Sequence, residues 1–393
     1  MRRVIRLVGT ASLLVLPIWF ALNCGAAEPK PVLHGIVALN ELGTEPIKKA
    51  LLSLPGRSVS TVFLSEGDRW ENFELESIVP KEGRIRLRDH SDGSVIELRL
   101  PDSGQPVDPK AALQFRAAPL RPLVELYQDF CGRTVLLPDG YTMNLDYLSR
   151  AQSRREGAAE LEHAFATNGF VMENRGELVT LMVRERERSV LKEIPEPPPA
   201  GAEIGFPSGL IKFQSAAAVQ VLEIYQAYTG RMVLRPPDFR PGNVTVKTQT
   251  PLTQDQTRWI LSAALRLAGI VVLPEGDRFM FATPPEKTNS LPHFDRAAIA
   301  AKWQVKPGEA RVIRIAGANA TEFLGTFAGL VGREPVPVSP EIRIVQFYLY
   351  YSQALDPVET IFALEGLAWG NNLALEKVEP NGVQLVPLNN RRL

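Results

Sequence analysis

Side chains able to carry acid–base, nucleophilic or metal chemistry are few and scattered. The four histidines, His34, His90, His163 and His293, lie far apart, and none has the spacing of a zinc site. A glycine-rich phosphate loop, a serine on a G-x-S-x-G elbow and a cysteine beside a partnered histidine are all missing. Acid pairs such as Glu74 and Glu76 fall at alternate positions of an expected strand, which puts both on a solvated face and away from the setting a general acid needs. No catalytic, metal or cofactor residue is assigned, and the chain reads as a non-enzyme without a cofactor.

Two sets of residues remain as candidates for contact with a partner. Arg133, Arg231 and Arg333 each follow a glycine that ends an expected helix. A cation there complements the helix dipole, which is preferred to a contact made three times over. In Phe347-Tyr348-Leu349-Tyr350-Tyr351, the aromatic residues either fill a core or leave Tyr348 and Tyr350 on an edge strand open to strand addition. Cys131 closes a helix where Thr229 and Val331 stand in the later copies, so it reads as a small buried side chain and not as a nucleophile.

The elements that position these residues are clearest in Ile211–Pro237. There Ala218, Val221, Leu222 and Tyr225 follow helical spacing, Gly230 stops the helix, and Met232-Val233-Leu234 forms a strand. Leu120, Leu123, Val124, Tyr127 and Gly132 precede the equivalent residues by 98 positions (120 to 218, 132 to 230), and Ala320, Phe323, Leu324, Phe327 and Gly332 follow them by 102 (218 to 320, 230 to 332). A second glycine, after Asn168, Ala268 and Trp369, is expected to end a second helix each time. Self-similarity at fixed spacing is a whole-fold signal. Thr253-Gln254-Asp255-Gln256 and Asp356-Pro357-Val358-Glu359 mark the starts of second helices.

The expected fold is therefore α+β: three repeated βαββα-type two-layer modules, each closed by a hairpin, after a small β-rich N-terminal domain. The division places a signal peptide at 1–27, the β-rich domain at 28–108, modules at 109–187, 210–286 and 309–393, a proline-rich linker at 188–209 and a second linker at 287–308. Within the first domain, strands are expected at Val59–Leu64, Phe73–Val79, Ile85–Arg88 and Val95–Leu100, with a turn at His90–Gly93 and a short helix at Pro46–Leu54.

Composition narrows the function classes. With 44 basic and 44 acidic residues in 393, no overall field favours nucleic acid or anionic lipid, and the basic stripe of an RNA-binding surface is lacking. Arg2, Arg3 and Arg6 precede an apolar run from Leu7 to Leu22 and then Gly25-Ala26-Ala27, the pattern of a cleaved secretory signal. Cys24 offers lipoprotein processing as a rival, disfavoured because Asn23 stands where a small residue is needed. Cleavage near Ala27 leaves Cys131 alone, so an exported chain must rely on packed cores and not on disulfides.

The second copy resembles the small periplasmic N-domains of bacterial secretins, the outer-membrane channels of type II secretion and type IV pilus systems. The likeness rests on Lys212-Phe213, Tyr228-Thr229-Gly230-Arg231, Val233–Pro237, Gly242-Asn243-Val244-Thr245-Val246, Thr250-Pro251-Leu252-Thr253 and Leu265–Gly269. Copies one and three share the skeleton, and the region before Asp108 has a looser resemblance to the periplasmic domain of inner-membrane clamp proteins. The secretin channel region has no counterpart before Leu393. The resemblance implies a stand-alone, non-enzymatic periplasmic scaffold whose partners are secretion or pilus proteins, a secretin, or further copies of itself in a ring. It implies no nucleic acid partner and a membrane only by proximity. A periplasmic glycan- or peptide-binding protein is the alternative, which exposed clusters around Trp259, Trp303 and Trp369 would favour.

Overall fold

A computed structural model describes residues 30–39, 46–55, 61–101, 108, 110–176, 178–185, 188, 192–199, 211–237 and 241–388. The expected signal segment, Cys24, and residues 200–209 of the proline-rich linker lie outside the described residues. The chain is α+β, with short strands in several small sheets and helices of at most 14 residues among the described residues.

The chain opens with seven strands: β1 (Val32–Leu39), β2 (Ile47–Ser53), β3 (Thr61–Leu64), β4 (Arg69–Trp70), β5 (Phe73–Val79), β6 (Arg84–Asp89) and β7 (Val95–Arg99). It then runs through β8 (Leu113–Pro119), α1 (Leu120–Cys131), β9 (Thr134–Leu136), β10 (Asn144–Ser149), α2 (Arg154–Thr167), β11 (Phe170–Arg175) and β12 (Val179–Arg184). The same order follows in β13 (Lys212–Ala217), α3 (Ala218–Thr229), β14 (Met232–Leu234), β15 (Asn243–Lys247), α4 (Gln254–Leu267), β16 (Val271–Glu275) and β17 (Phe279–Thr283). After α5 (Arg296–Trp303) come β18 (Arg314–Asn319), α6 (Ala320–Val331), β19 (Glu334–Pro335), a short α7 (Pro340–Arg343), β20 (Gln346–Tyr350), α8 (Pro357–Gly370), β21 (Leu373–Val378) and β22 (Gly382–Pro387).

Each module splits its strands between two sheets. The first strand pairs antiparallel with the third (β8 with β10, β13 with β15, β18 with β20), while the second joins the closing hairpin, parallel to its last strand (β9 with β12, β14 with β17, β19 with β22). The first strand of each module carries a bulge at a residue with positive φ: Ala117 (43°), Ser215 (52°) and Gly317 (77°). A bulge re-aims the chain, here three residues before the helix begins. Asn319 and Glu322 form a capping box on α6, as Thr253 with Gln256 do on α4 and Asp356 with Glu359 on α8.

The three-stranded sheets join the modules. In β12, Met182 faces the core of its own module, whereas Val179, Leu181 and Val183 enter the core of α3 and α4 in the next. In β17, Met280 and Ala282 face inward, whereas Phe279 and Phe281 enter the core of α6 and α8. Phe279 meets Phe362 at 4.9 Å and Phe281 meets Trp369 at 5.3 Å between ring centroids, both edge-to-face. The described parts therefore stack as sheet, helix pair, sheet, helix pair. In β22 the equivalent positions are Gly382, Gln384 and Val386, all partly exposed.

Two expectations are corrected. Pro46–Leu54 is not a helix: residues 47–53 form β2, held between β1 and β3, so pairing and burial of Ala50, Leu51 and Leu52 override the helix-forming lysines, alanine and leucines. Val59 and Ser60 of the strand expected at Val59–Leu64 lie outside the described residues, and the rest is β3. The boundary at 108 is crossed by one five-stranded sheet, β10-β8-β1-β2-β3, because β1 pairs with β8 (Ile36 opposite Gln114). Its other face packs on the sheet β4-β5-β6-β7 through Leu33, Leu52, Leu75, Ile85 and Leu87. The helix of the third copy does end at Gly370, and the left-handed residue that follows it is Asn372 (φ 60°). A Cβ on Gly370 would lie 2.8 Å from the Arg235 carbonyl oxygen, so this glycine lets α8 approach β14 closely.

Nor are the two joints plain spacers. Ile194 is buried in the second module's core, Trp259 donates from Nε1 to the Pro195 carbonyl at 2.9 Å, and Arg175 pairs with Glu196 at 3.2 Å. The stretch 287–308 contains α5, whose Trp303 is fully buried against Phe327 and donates to Glu365 at 2.9 Å. The aromatic anchors, not the local composition, decide both.

Because Phe281 fills a core shared by two modules, Phe281→Ala is expected to remove about 3–5 kcal/mol and to shift the urea midpoint clearly. Gln384→Ala, at the equivalent position of the last sheet, is expected to change stability by about 0.5 kcal/mol or less. Similar midpoints for the two variants would contradict the shared core.

Candidate functional site

The same three parts meet at both junctions between modules: the first helix of one module, its second strand, and the outward face of the first sheet of the next. At the first junction Arg121, Val124, Glu125, Gln128, Val135 and Leu137 face Lys212, Gln214, Thr245 and Lys247 across a space of about 20 Å³. Lys247 pairs with Asp129 at 2.9 Å, Gln128 donates to the Lys247 carbonyl at 3.0 Å, and the Gln249 amide donates to Thr134 Oγ1 at 3.1 Å. Lys49 of β2 reaches the same Asp129 at 3.5 Å, so one carboxylate ties three parts of the chain together.

The second junction is open, with a groove of about 850 Å³ between α3 and the sheet β18–β20. The reason is legible in two substitutions. Arg314 pairs with Tyr350 across the ladder as Lys212 pairs with Lys247, so a tyrosine replaces the cation. Ala227 stands 98 residues after Asp129, where the carboxylate would be. The clasp that shuts the first junction therefore cannot form. The modules are held instead along a neighbouring line, where the Tyr351 hydroxyl donates to the Gly230 carbonyl at 2.6 Å and Arg278 donates to the Ala354 carbonyl at 2.8 Å.

Alternation along β20 sets the character of the groove. Phe347 and Leu349 point into the core, and Phe347 stacks on Phe323 at 3.9 Å, which leaves Tyr348 and Tyr350 pointing out, 64% and 66% exposed. The Arg314 guanidinium lies 5.9 Å from the centre of the Tyr350 ring. Across the groove, α3 presents Val219, Leu222 and Glu223, and the end is lined by Val233, Arg235, Pro237 and Asn371. The helix side mixes partly exposed Val219 with Glu223 and Gln226, Leu222 being buried beneath them, and the sheet side is aromatic and cationic. Such a mixture of apolar surface and a few polar groups is what binding clefts use.

The arginines of the glycine-arginine corners are engaged inside their own modules. Arg133 donates to Asn174 Oδ1 at 2.5 Å, Arg231 to the Gly276 carbonyl at 2.7 Å and Arg333 to the Gly382 carbonyl at 3.3 Å. Each braces the helix end against the closing hairpin, and the three are not brought together. Trp259, Trp303 and Trp369 are all core residues, so they offer no exposed cluster. Cys131 is half-buried and burial pushes its thiol pKa up, the opposite of an activated nucleophile. Glu74 and Glu76 lie on an exposed strand face, paired with Arg69 and Arg88. Among the described residues no group of three or more metal-ligating side chains gathers, and no helix is long and apolar enough to cross a membrane.

Glu223, Arg235, Arg314 and Asn371 were not singled out by sequence reasoning. Of the two substitutions that open the groove, Asp129 to Ala227 follows from the offset of 98, whereas Lys247 and Tyr350 stand 103 apart (350 − 247) and are matched only by strand pairing. Comparison with protein-family models, with curated proteins and with solved structures finds no match.

At the closed junction, burial raises the pKa of Glu125, with Asp129 adding to the rise and Lys247, Lys212 and Arg121 opposing it. A carboxyl that holds its proton more tightly folded than unfolded contributes stability at low pH and loses it as pH rises. Glu125→Gln is therefore expected to melt above the parent at about pH 7 and to converge with it toward about pH 4, where ordinary carboxyls protonate. A variant that melts below the parent at neutral pH would show that the lysines, not burial, dominate.

Proposed function

We infer that the chain is a non-enzymatic periplasmic scaffold or interaction protein of a type II secretion or type IV pilus-like system, working through protein–protein contacts of secretin N-domain-like modules. Its partners are other components of the apparatus, a secretin, or further copies of the chain in a ring. The observation that carries this reading is the outward pair Tyr348 and Tyr350 on a two-stranded sheet beside an open groove, in a chain whose other large aromatic residues mostly fill cores. Exposed aromatic residues on a rigid support are the usual anchors of protein interfaces. The motifs of the second copy supply the rest of the argument, together with the signal pattern at the N-terminus.

The groove also favours a second reading, a periplasmic glycan- or peptide-binding protein, since tyrosine rings, guanidiniums and a carboxylate line one cleft. Photocrosslinking separates the two. With a crosslinking amino acid at position 348 or 350 in cells, recovery of secretin or pilus components from envelope fractions is the expected result. A chain that captures no envelope protein from either position, yet melts higher in the presence of a glycan, would overturn the scaffold reading in favour of the second.

A further inference from the structure

We propose that the groove between α3 and β18–β20 receives an extended polypeptide segment in which apolar and acidic residues alternate. The inference deepens the interaction reading above and rests on it. Successive side chains of an extended chain point to opposite sides, so a segment lying along this groove presents one set to each wall. The α3 side and the groove end offer the partly exposed Val219 and Val233 to an apolar set. The sheet side offers Arg314, Tyr348 and Tyr350 to a polar set.

Charge decides which polar set fits. The lining holds the guanidiniums of Arg314 and Arg235 against the single carboxylate of Glu223. Neither arginine makes an ion pair among the described residues, whereas Arg296, Arg175 and Arg121 in the same chain each do. At the closed junction the equivalent space is sealed by this chain's own pairing of a carboxylate with a sheet-face cation, Asp129 with Lys247. The open junction has neither member of that clasp, Tyr350 and Ala227 standing in their places, but keeps a sheet-face cation, Arg314, at the position of Lys212. An incoming acidic residue gives Arg314 a carboxylate partner, with charge-assisted hydrogen bonds to a planar guanidinium that lysine could not match in geometry.

Titration of the full chain with a fluorescein-labelled octapeptide, Gly-Val-Asp-Val-Asp-Val-Asp-Gly, followed by anisotropy, tests the inference. The same measurement is made with a peptide carrying lysine at the aspartate positions and with an N-acetylglucosamine oligomer as competitor. Saturable binding of the acidic peptide is expected, weakened about tenfold or more in Arg314→Glu and in Tyr348→Ala, partly kept in Arg314→Lys, and weakened by salt. Both positions are exposed, so thermal melts of the variants should match the parent and exclude misfolding as the cause. The inference is overturned if the acidic peptide does not saturate, if the lysine peptide binds equally well, if the variants bind like the parent, or if the oligosaccharide displaces the peptide competitively with higher affinity. Envelope crosslinks that persist in Arg314→Glu would leave the scaffold reading standing while removing this site. Peptide binding without any envelope crosslink would do the reverse.

Discussion

The modular part of this chain depends on two three-stranded sheets, β11-β12-β9 and β14-β17-β16, that are apolar on both faces. A sheet with one wet face needs only its own helices, but β12 and β17 present Val179, Leu181 and Val183 or Phe279 and Phe281 on the side away from their own module. Leaving such a face in water would cost about 25 cal/mol for each Å² exposed. The next module's helices cover it, and the price is loss of independence: neither neighbour has a complete core alone. Glycine at 366 and 370 tightens the second junction, where added Cβ atoms would meet Leu234 and the Arg235 backbone at 2.6 and 2.8 Å.

That constraint also explains where the chain can interact. Junctions between rigid, shared cores fix the distance between a helix and the neighbouring two-stranded sheet, so small changes in side chains there open or close a cleft without moving the scaffold. The first junction spends its polar residues on the Asp129 clasp, which binds Lys49, Lys247 and Gln249. The second has lost both members of that clasp and shows two tyrosines instead. In β22, Gly382 and Gln384 stand where β12 and β17 carry apolar residues.

Much of the fold was legible because it rests on local chemistry that spacing reports. Helix stripes, the stop glycines at 132, 230 and 332, the capping box at Thr253 and the helix start at Asp356 are all one-element features, and they stand where expected. What could not be read locally is what depends on partners distant in sequence. Residues 47–53 have helix-forming composition but are claimed by two strands; Trp303 turns a joint into a docked helix; and Ile194 and Pro195 are pinned by Trp259. The candidate site was half legible. Alternation in 346–350 places Tyr348 and Tyr350 on one face, but whether that face is core or surface depends on Phe323, which takes Phe347 to the other side. The arginines at 133, 231 and 333 drew attention through repetition and prove to be braces, since repetition reports a shared fold as readily as a shared contact.

The central claim is that neighbouring modules share one core and do not behave as beads on a string. Native-state hydrogen exchange across a series of low denaturant concentrations tests it most directly, by following amides of β17 in the second module and of α8 in the third. The account predicts that the two segments lose protection together, with one common dependence on denaturant. Separate transitions, with β17 following α4 and α8 opening on its own, would contradict it.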